Sequence, residues 1–264
     1  YEAVDDPPMG EQAQVDLGEI ILETVTGKHK KVYCFGMVMS NSRQKFVYWL
    51  DKPFTTDSFI NAHFKAFDFF GGVPRRVIFD NAKVAVKEGF GLYAKPQDKY
   101  LSFSAHYAFT LDFCNPAKGN EKGLVENLVG YARRNFFVPV PRVDDMKSLN
   151  EQLWQLCLNY RATHKVAGRN QSVSELYAIE KEYLNPIPRF RFDTSKTVYA
   201  KVDDFSIVRY EKNNYSVPTR YIRKEVTIKG YADEGFILYE GKPIATYQRS
   251  YGSGNTQYRL EHYI

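Results

Sequence analysis

The hydrophobic period of this chain changes near residue 55, and that change limits the fold more than any other feature. Residues 12–22 (QAQVDLGEIIL) alternate as a strand does, 31–39 (KVYCFGMVM) form a nearly continuous apolar run of strand length, and 44–50 (QKFVYWL) form a third. Short turns such as Thr26-Gly27-Lys28 separate them, which predicts an antiparallel meander. Thr55-Thr56-Asp57 then reads as a helix start. Phe59, Ile60, Phe64, Phe67 and Phe70 recur at helical spacings up to Gly71-Gly72. Residues 76–79 (RVIF) return to a buried strand with Asp80 at its carboxyl end. Three strands, a helix and a strand make an α/β chain, and the helical crossover favours parallel pairing for the last strand.

Further on, residues 81–95 show no clear pattern, 97–107 read as a helix and 109–113 (FTLDF) as a strand. A Pro- and Gly-containing loop, 115–123, precedes a helix that runs from about Lys122 toward Phe136 and is ended by Pro139 and Pro141. Amphipathic helices are expected over 148–161 and 173–182. Asn185-Pro186-Ile187-Pro188 marks a domain boundary, giving domains 1–188 and 189–264. Beyond it, short β-rich runs punctuated by turn residues predict a small C-terminal β-barrel.

At 264 residues the chain is long enough for one large or two modest domains, and 44% hydrophobic with 25% charged residues excludes disorder for most of it. Cys34, Cys114 and Cys157 are odd in number, far apart and without a C-x-x-C pair, which excludes a disulfide framework and points to a reducing compartment. No apolar run approaches the roughly 18 residues of a membrane helix, and no secretory signal opens the chain. The start at Tyr1 suggests a piece of a longer protein. The five histidines do not pair with cysteine at zinc spacing, and no P-loop or nucleophile elbow is present. Charge is uneven. Residues 1–27 hold seven acids and no Lys or Arg, so the rest carries 36 basic against 24 acidic residues, compatible with a polyanionic partner.

Three acids stand where chemistry forms in such folds. Asp16 lies in the first strand, Asp80 ends the strand after the first helix, and Glu126 lies on the helix after the 115–123 loop. Three converging carboxylates without His or Cys are hard oxygen ligands that suit Mg²⁺ or Mn²⁺. Two such ions about 3.5–4 Å apart support phosphodiester cleavage. Taken alone, Asp80 also fits a turn or cap residue, and the acids are numerous enough for such a triple to arise without function.

The words around these acids, VDLGE, VIFDNAK and CNPAKGNEKGLVEN, occur in that order. Together they resemble the catalytic core of the D-D-E transposase and retroviral integrase superfamily, and most closely IstA-type transposases of the insertion-sequence twenty-one family. The first acid falls in Gln14-Val15-Asp16-Leu17-Gly18, the second in Asp80-Asn81 and the third in Lys122-Gly123-Leu124-Val125-Glu126-Asn127. Glu121, five residues earlier, is a rival third acid, and the GLVEN word favours Glu126. Leu17 stands where Trp is common. Ser172-Val173-Ser174 replaces the usual T-P-x before Glu175-Leu176. The resemblance is strong over about residues 1–185 and weak over the β-rich tail.

It implies an RNase H-like mixed sheet flanked by helices, with Asp16, Asp80 and Glu126 as catalytic residues and ligands of two Mg²⁺ ions, Mn²⁺ substituting. The implied function is cleavage at transposon ends and 3′-hydroxyl strand transfer into target DNA. It further implies a homo-oligomer on paired DNA ends, a separate AAA+ ATPase helper, no membrane association, and a bacterial cytoplasmic, nucleoid-associated setting. Lys122 and Arg133, at helical spacings from Glu126, are candidate phosphate contacts, as are Lys118, Asn120 and Lys83; a solvated surface is the competing role for each. Basic residues between Lys201 and Lys229 fit a barrel that rides along a DNA backbone or bridges protomers, and equally a packing module with solvated lysines. Two other functions fit the same residues: an RNase H-like structure-specific nuclease, and a non-catalytic DNA-binding or assembly module.

Overall fold

The computed structural model describes residues 6–24, 26–79, 83–114, 126–136, 145–250 and 252–264. They fall into two compact units, Tyr1–Phe192 and Asp193–Ile264.

The first unit is built on a five-stranded sheet. Strands β1 (Gln12–Glu23), β2 (His29–Met39) and β3 (Lys45–Leu50) form the antiparallel meander. Helix α1 (Thr56–Phe70) crosses over to β4 (Arg76–Phe79), which pairs parallel to β1. A hairpin of β5 (Val86–Glu88) and β6 (Lys95–Pro96) follows. Helix α2 (Asp98–Tyr107) then leads to β7 (Thr110–Phe113), parallel to β4. The sheet order is β3-β2-β1-β4-β7, in which only β2 runs against the others. This is the RNase H-like arrangement expected from the resemblance.

Local chemistry explains α1. Thr55 caps it through a reciprocal box with Ser58, and Gly71 closes it at φ +65°, a left-handed geometry that costs glycine nothing. Its aromatic stripe and that of α2 cover one face of the sheet. There Phe35, Phe59, Phe67, Phe79, Tyr100 and Phe103 enclose His63, which is fully buried. Its Nδ1 lies 2.8 Å from the Phe59 carbonyl and its Nε2 3.1 Å from the Tyr100 hydroxyl. Burial pushes the His63 pKa down to about 3, so the ring is neutral near pH 7 and works as a satisfied core residue.

The opposite face carries α3 (Glu126–Tyr131), which continues as a π-helical turn over Ala132–Phe136, and α4 (Met146–Thr163), capped by Asp145. Helix α4 lies along β3. The Asn150 side chain accepts from the Trp49 N–H and donates to the Trp49 carbonyl, both at 2.8 Å, and so satisfies an edge strand. Helix α5 (Val173–Glu180) starts at Ser172, which forms a capping box with Glu175. The buried Glu180 carboxylate accepts from the Gly10 and Ser42 N–H groups at 3.2 and 3.0 Å, tying α5 to the start of β1 and the β2–β3 turn.

The second unit has two sheets around one core. The first is ordered β13 (Lys242–Gln248), β12 (Glu234–Tyr239), β11 (Glu225–Gly230), β8 (Lys196–Lys201). The second is β14 (Thr256–Gln257), β10 (Asn213–Ser216), β9 (Ile207–Tyr210). Val208, Tyr215, Val226, Ile228, Ile237 and Tyr247 fill the core between them. Among the described residues no helix is long and apolar enough to cross a membrane. The three cysteines are buried and form no disulfide with one another.

Candidate functional site

Strand alternation decides what Asp16 faces. Residues directly opposite in a ladder share a face, and side chains two apart along a strand share it again. Asp16 pairs with Gly36, and Gly18 with Cys34. Asp16, Gly18 and Gly36 therefore lie on one face, the one that carries α3. A Cβ on Gly18 would sit 2.5 Å from Val129 Cγ1, and one on Gly36 would sit 2.8 Å from Leu128 Cδ2. These are far inside carbon–carbon contact, so α3 rests on bare backbone at both strands. The two glycines let the helix that begins with Glu126 lie against the sheet beside Asp16.

Asp16 itself is half-buried, and its Oδ1 accepts the Leu17 N–H at 2.9 Å, which orients the carboxylate. On its other side β1 pairs with β4 in a ladder whose last step is Val15 with Phe79. The next residue of β1 is Asp16, and the residue after Phe79 in the chain is Asp80, which lies outside the described residues. Lys118, Asn120 and Lys122 also lie outside them. Glu126 is the first residue of α3 and Arg133 falls in the π-helical turn; the side chains of both lie outside the described residues. Lys83 is an exposed turn residue whose carbonyl accepts from Gln97 Nε2 at 3.1 Å. Among the described residues no three His, Cys, Asp or Glu side chains converge to hold a metal ion. Asp16 fits an oxygen-ligated divalent cation in donor type and placement.

Two polar features here are invisible in the sequence. The first is a half-buried lysine. Lys45 of β3 places its Nζ 4.3 Å from the Tyr160 ring centre and 5.0 Å from that of Tyr131, and donates to the Tyr160 hydroxyl at 2.9 Å. Burial, with the Arg43 charge adding to it, lowers its pKa to about 8. Tyr131 also lies 3.1 Å from His164 Nε2 through its hydroxyl. This cluster from β3, α3 and α4 holds the carboxyl end of α3. The second is a polar row across β1, β4 and β7. Arg76 bonds Gln12 Oε1 at 2.7 Å and Asp112 at 3.2 Å, and Gln12 Nε2 donates to Ser40 at 3.0 Å. Only strand register brings these residues together, and no local word announces them.

In the second unit Lys201, Arg209, Lys212, Arg220 and Lys224 are exposed, and Lys201 is near enough to Asp204 for its charge to help lower that carboxyl's pKa. Arg223 and Lys229 are paired with Asp204 and Asp193 at 2.7 and 2.8 Å.

Residues 187–259 match the family model described as Mu transposase, C-terminal domain. The chain is 34% identical to a transposase for an insertion sequence element IS21-like from Bacteroides fragilis, over 99% of this chain and 51% of that protein. It is 32% identical to the transposase for insertion sequences IS1326/IS1353 of Pseudomonas aeruginosa, over 97% of this chain and 51% of that one. The transposase for insertion sequence element IS21 of the same organism is 30% identical over 96% of this chain and 64% of its own length. The chain thus spans about half the length of the first two relatives. A chain in the cryo-EM structure of the simian T-cell lymphotropic virus intasome with PP2A regulatory subunit B56 gamma superposes with a TM-score of 0.50 at 16% identity. That match covers 89% of this chain and 75% of the other, and it is a likeness of fold.

Proposed function

We propose that this chain, which belongs to the IS21-type transposases, carries the phosphoryl-transfer centre of a DNA transposase, with Asp16, Asp80 and Glu126 as its metal-binding acids. One observation supports this above the rest. Asp16 sits one step past the end of the β1–β4 ladder, on the face where Gly18 and Gly36 seat the helix that begins with Glu126. Phe79 ends that ladder opposite Val15, and Asp80 is the next residue in the sequence.

The acids would hold two Mg²⁺ ions, which supply a nucleophilic oxygen and neutralise the leaving oxygen when bound. The protein's own part is positional. The Leu17 N–H aims the Asp16 carboxylate, and α3 begins with Glu126. Lys83, Lys118, Asn120, Lys122 and Arg133 would contact phosphates around the site. The exposed cations of the second unit would add sequence-independent contacts along the backbone. Cleavage at transposon ends, joining of the 3′-hydroxyl to target DNA, a homo-oligomeric complex and an ATPase helper complete the proposed activity.

Asp16→Asn tests this. The amide oxygen still accepts from Leu17, so folding and DNA binding are expected to stay near wild type while Mg²⁺-dependent cleavage and joining are lost. Asp80→Asn and Glu126→Gln are expected to behave alike. A fully active Asp16→Asn protein overturns the assignment.

A further inference from the structure

The hairpin of β5 and β6 is absorbed by none of this, and it ends in an exposed apolar tip. Phe90 is 56%, Leu92 92% and Tyr93 83% exposed. Three large apolar side chains within four residues, all turned to solvent, are not a folding requirement. The tip is nevertheless shaped. Gly89 and Gly91 take φ +78° and +56°, and a Cβ on Gly89 would fall 2.2 Å from the Tyr93 carbonyl oxygen. Backbone bonds from Tyr93 N to Phe90 O and from Ala94 N to Gly91 O, both 3.1 Å, close the turn.

The root is held as firmly. Thr56 at the start of α1 donates to the Val84 carbonyl at 3.0 Å, and Gln97 at the start of α2 donates its backbone N–H to the Ala85 carbonyl at 2.8 Å. Both helices lead into parallel strands, so their starts lie at the edge of the sheet where β4 and β7 end. That is the edge at which α/β sites form. The hairpin therefore leaves the sheet beside the proposed centre, its first described residue, Lys83, being three positions after Asp80. Between residues 83 and 99 four lysines stand against two acids. Lys83 has no side-chain partner among the described residues, while Lys87 and Lys95 pair with Asp98 and Glu88.

We infer that the tip formed by Phe90, Leu92 and Tyr93 is a wedge that inserts against bases of the DNA held at the proposed centre and unstacks the pair beside the reacting phosphate. The inference rests on the DNA-transposase reading and deepens it. An apolar wedge on a rigid, cation-flanked support is the chemistry by which proteins open base steps, and an aromatic ring stacks on any base. A reacting phosphodiester next to an unstacked pair is freer to adopt an in-line geometry.

The test uses the protein with Leu92 and Tyr93 both changed to Ala, in an otherwise wild-type and in an Asp16→Asn background. Both side chains are exposed, so the fold is expected to hold, checked by an unchanged melting temperature. The probe is a DNA duplex carrying 2-aminopurine at successive positions near the cleavage site. The Asp16→Asn protein is expected to raise the fluorescence several-fold at one or two positions. The tip variant in that background is expected to lose this rise while still binding the duplex. A mismatch at the same positions is expected to restore cleavage by the tip variant in the wild-type background. An undiminished fluorescence rise in the variant overturns the wedge, as does a cleavage defect that a mismatch leaves untouched. A variant with normal fluorescence but altered mass in sedimentation would assign the tip to protein contact instead. The fluorescence needs no chemistry, so it reads the wedge even if Asp16→Asn stays active and the catalytic assignment fails.

Discussion

Gly18→Ala should damage catalysis far more than folding, and the structure says by how much. The new Cβ would lie 2.5 Å from Val129 Cγ1, 3.1 Å from Cγ2 and 3.2 Å from Cβ. Carbon atoms prefer about 3.5–4.0 Å, so about 1 Å of relief is needed. Valine cannot supply it by turning, because its β-branched side chain is stiff and all three of its side-chain carbons already crowd the site. Helix α3 must therefore lift, and Glu126 is its first residue. A displacement of about 1 Å at a catalytic group costs about 10²-fold in rate. Overpacking of this kind costs about 1–3 kcal/mol of stability. At about 2–4 °C per kcal/mol in a domain this size, the melting temperature should fall by only several degrees. Two comparisons sharpen the test. Gly36→Ala meets the mobile end of Leu128, so it should be milder. Gly235→Ala finds its nearest neighbour at 3.8 Å and should be silent. The assay is single-turnover cleavage with Mg²⁺ at a temperature where all three variants are folded. A Gly18→Ala protein that cleaves at the wild-type rate, or losses across the series that follow melting temperature alone, would refute the link between α3 seating and the site.

Two further predictions concern one half-buried and one fully buried ionisable group. Burial holds the Lys45 pKa near 8, below the ordinary lysine value, so the unfolded chain binds the extra proton between about pH 8 and 10.5 and the wild type should gain stability relative to Lys45→Met as pH rises through that window; a difference in melting temperature that is flat from pH 8 to 10 contradicts this. His63, held down to about 3, works on the acid side. Unfolding takes up its proton below about pH 6.5, so wild-type stability should fall from there toward pH 4, and His63→Phe should show a shallower fall in a pH series of thermal melts even though it leaves the Tyr100 hydroxyl without its ring partner.

The architecture of the first unit was legible because its cues are local. The shift from strand to helix period, Thr55 before the phenylalanine stripe and Gly71 after it each act within a few residues, and α1 runs from Thr56 to Phe70 between them. The crossover pointed to parallel pairing for the strand after α1, and the structure shows β1 as its partner. The β5–β6 hairpin escaped because it is short and its apolar residues face out, so no buried period marks it. Asp16 could be singled out from the words around the acids, but not from charge or period.

What the sequence determined by itself is therefore most of the longer elements, their order and the acids worth testing, since periodicity, capping and motif spacing are written along the chain. Only the tertiary structure decided which side of the sheet Asp16 shares with α3, that Gly18 and Gly36 are the floor beneath that helix, and that Lys45 lies between two tyrosines from α3 and α4. A glycine in a strand reports that something approaches without saying what. A lysine at a strand end looks solvated until residues 115 positions away close over it. Those facts depend on register and packing between elements far apart in sequence, where no local pattern reaches.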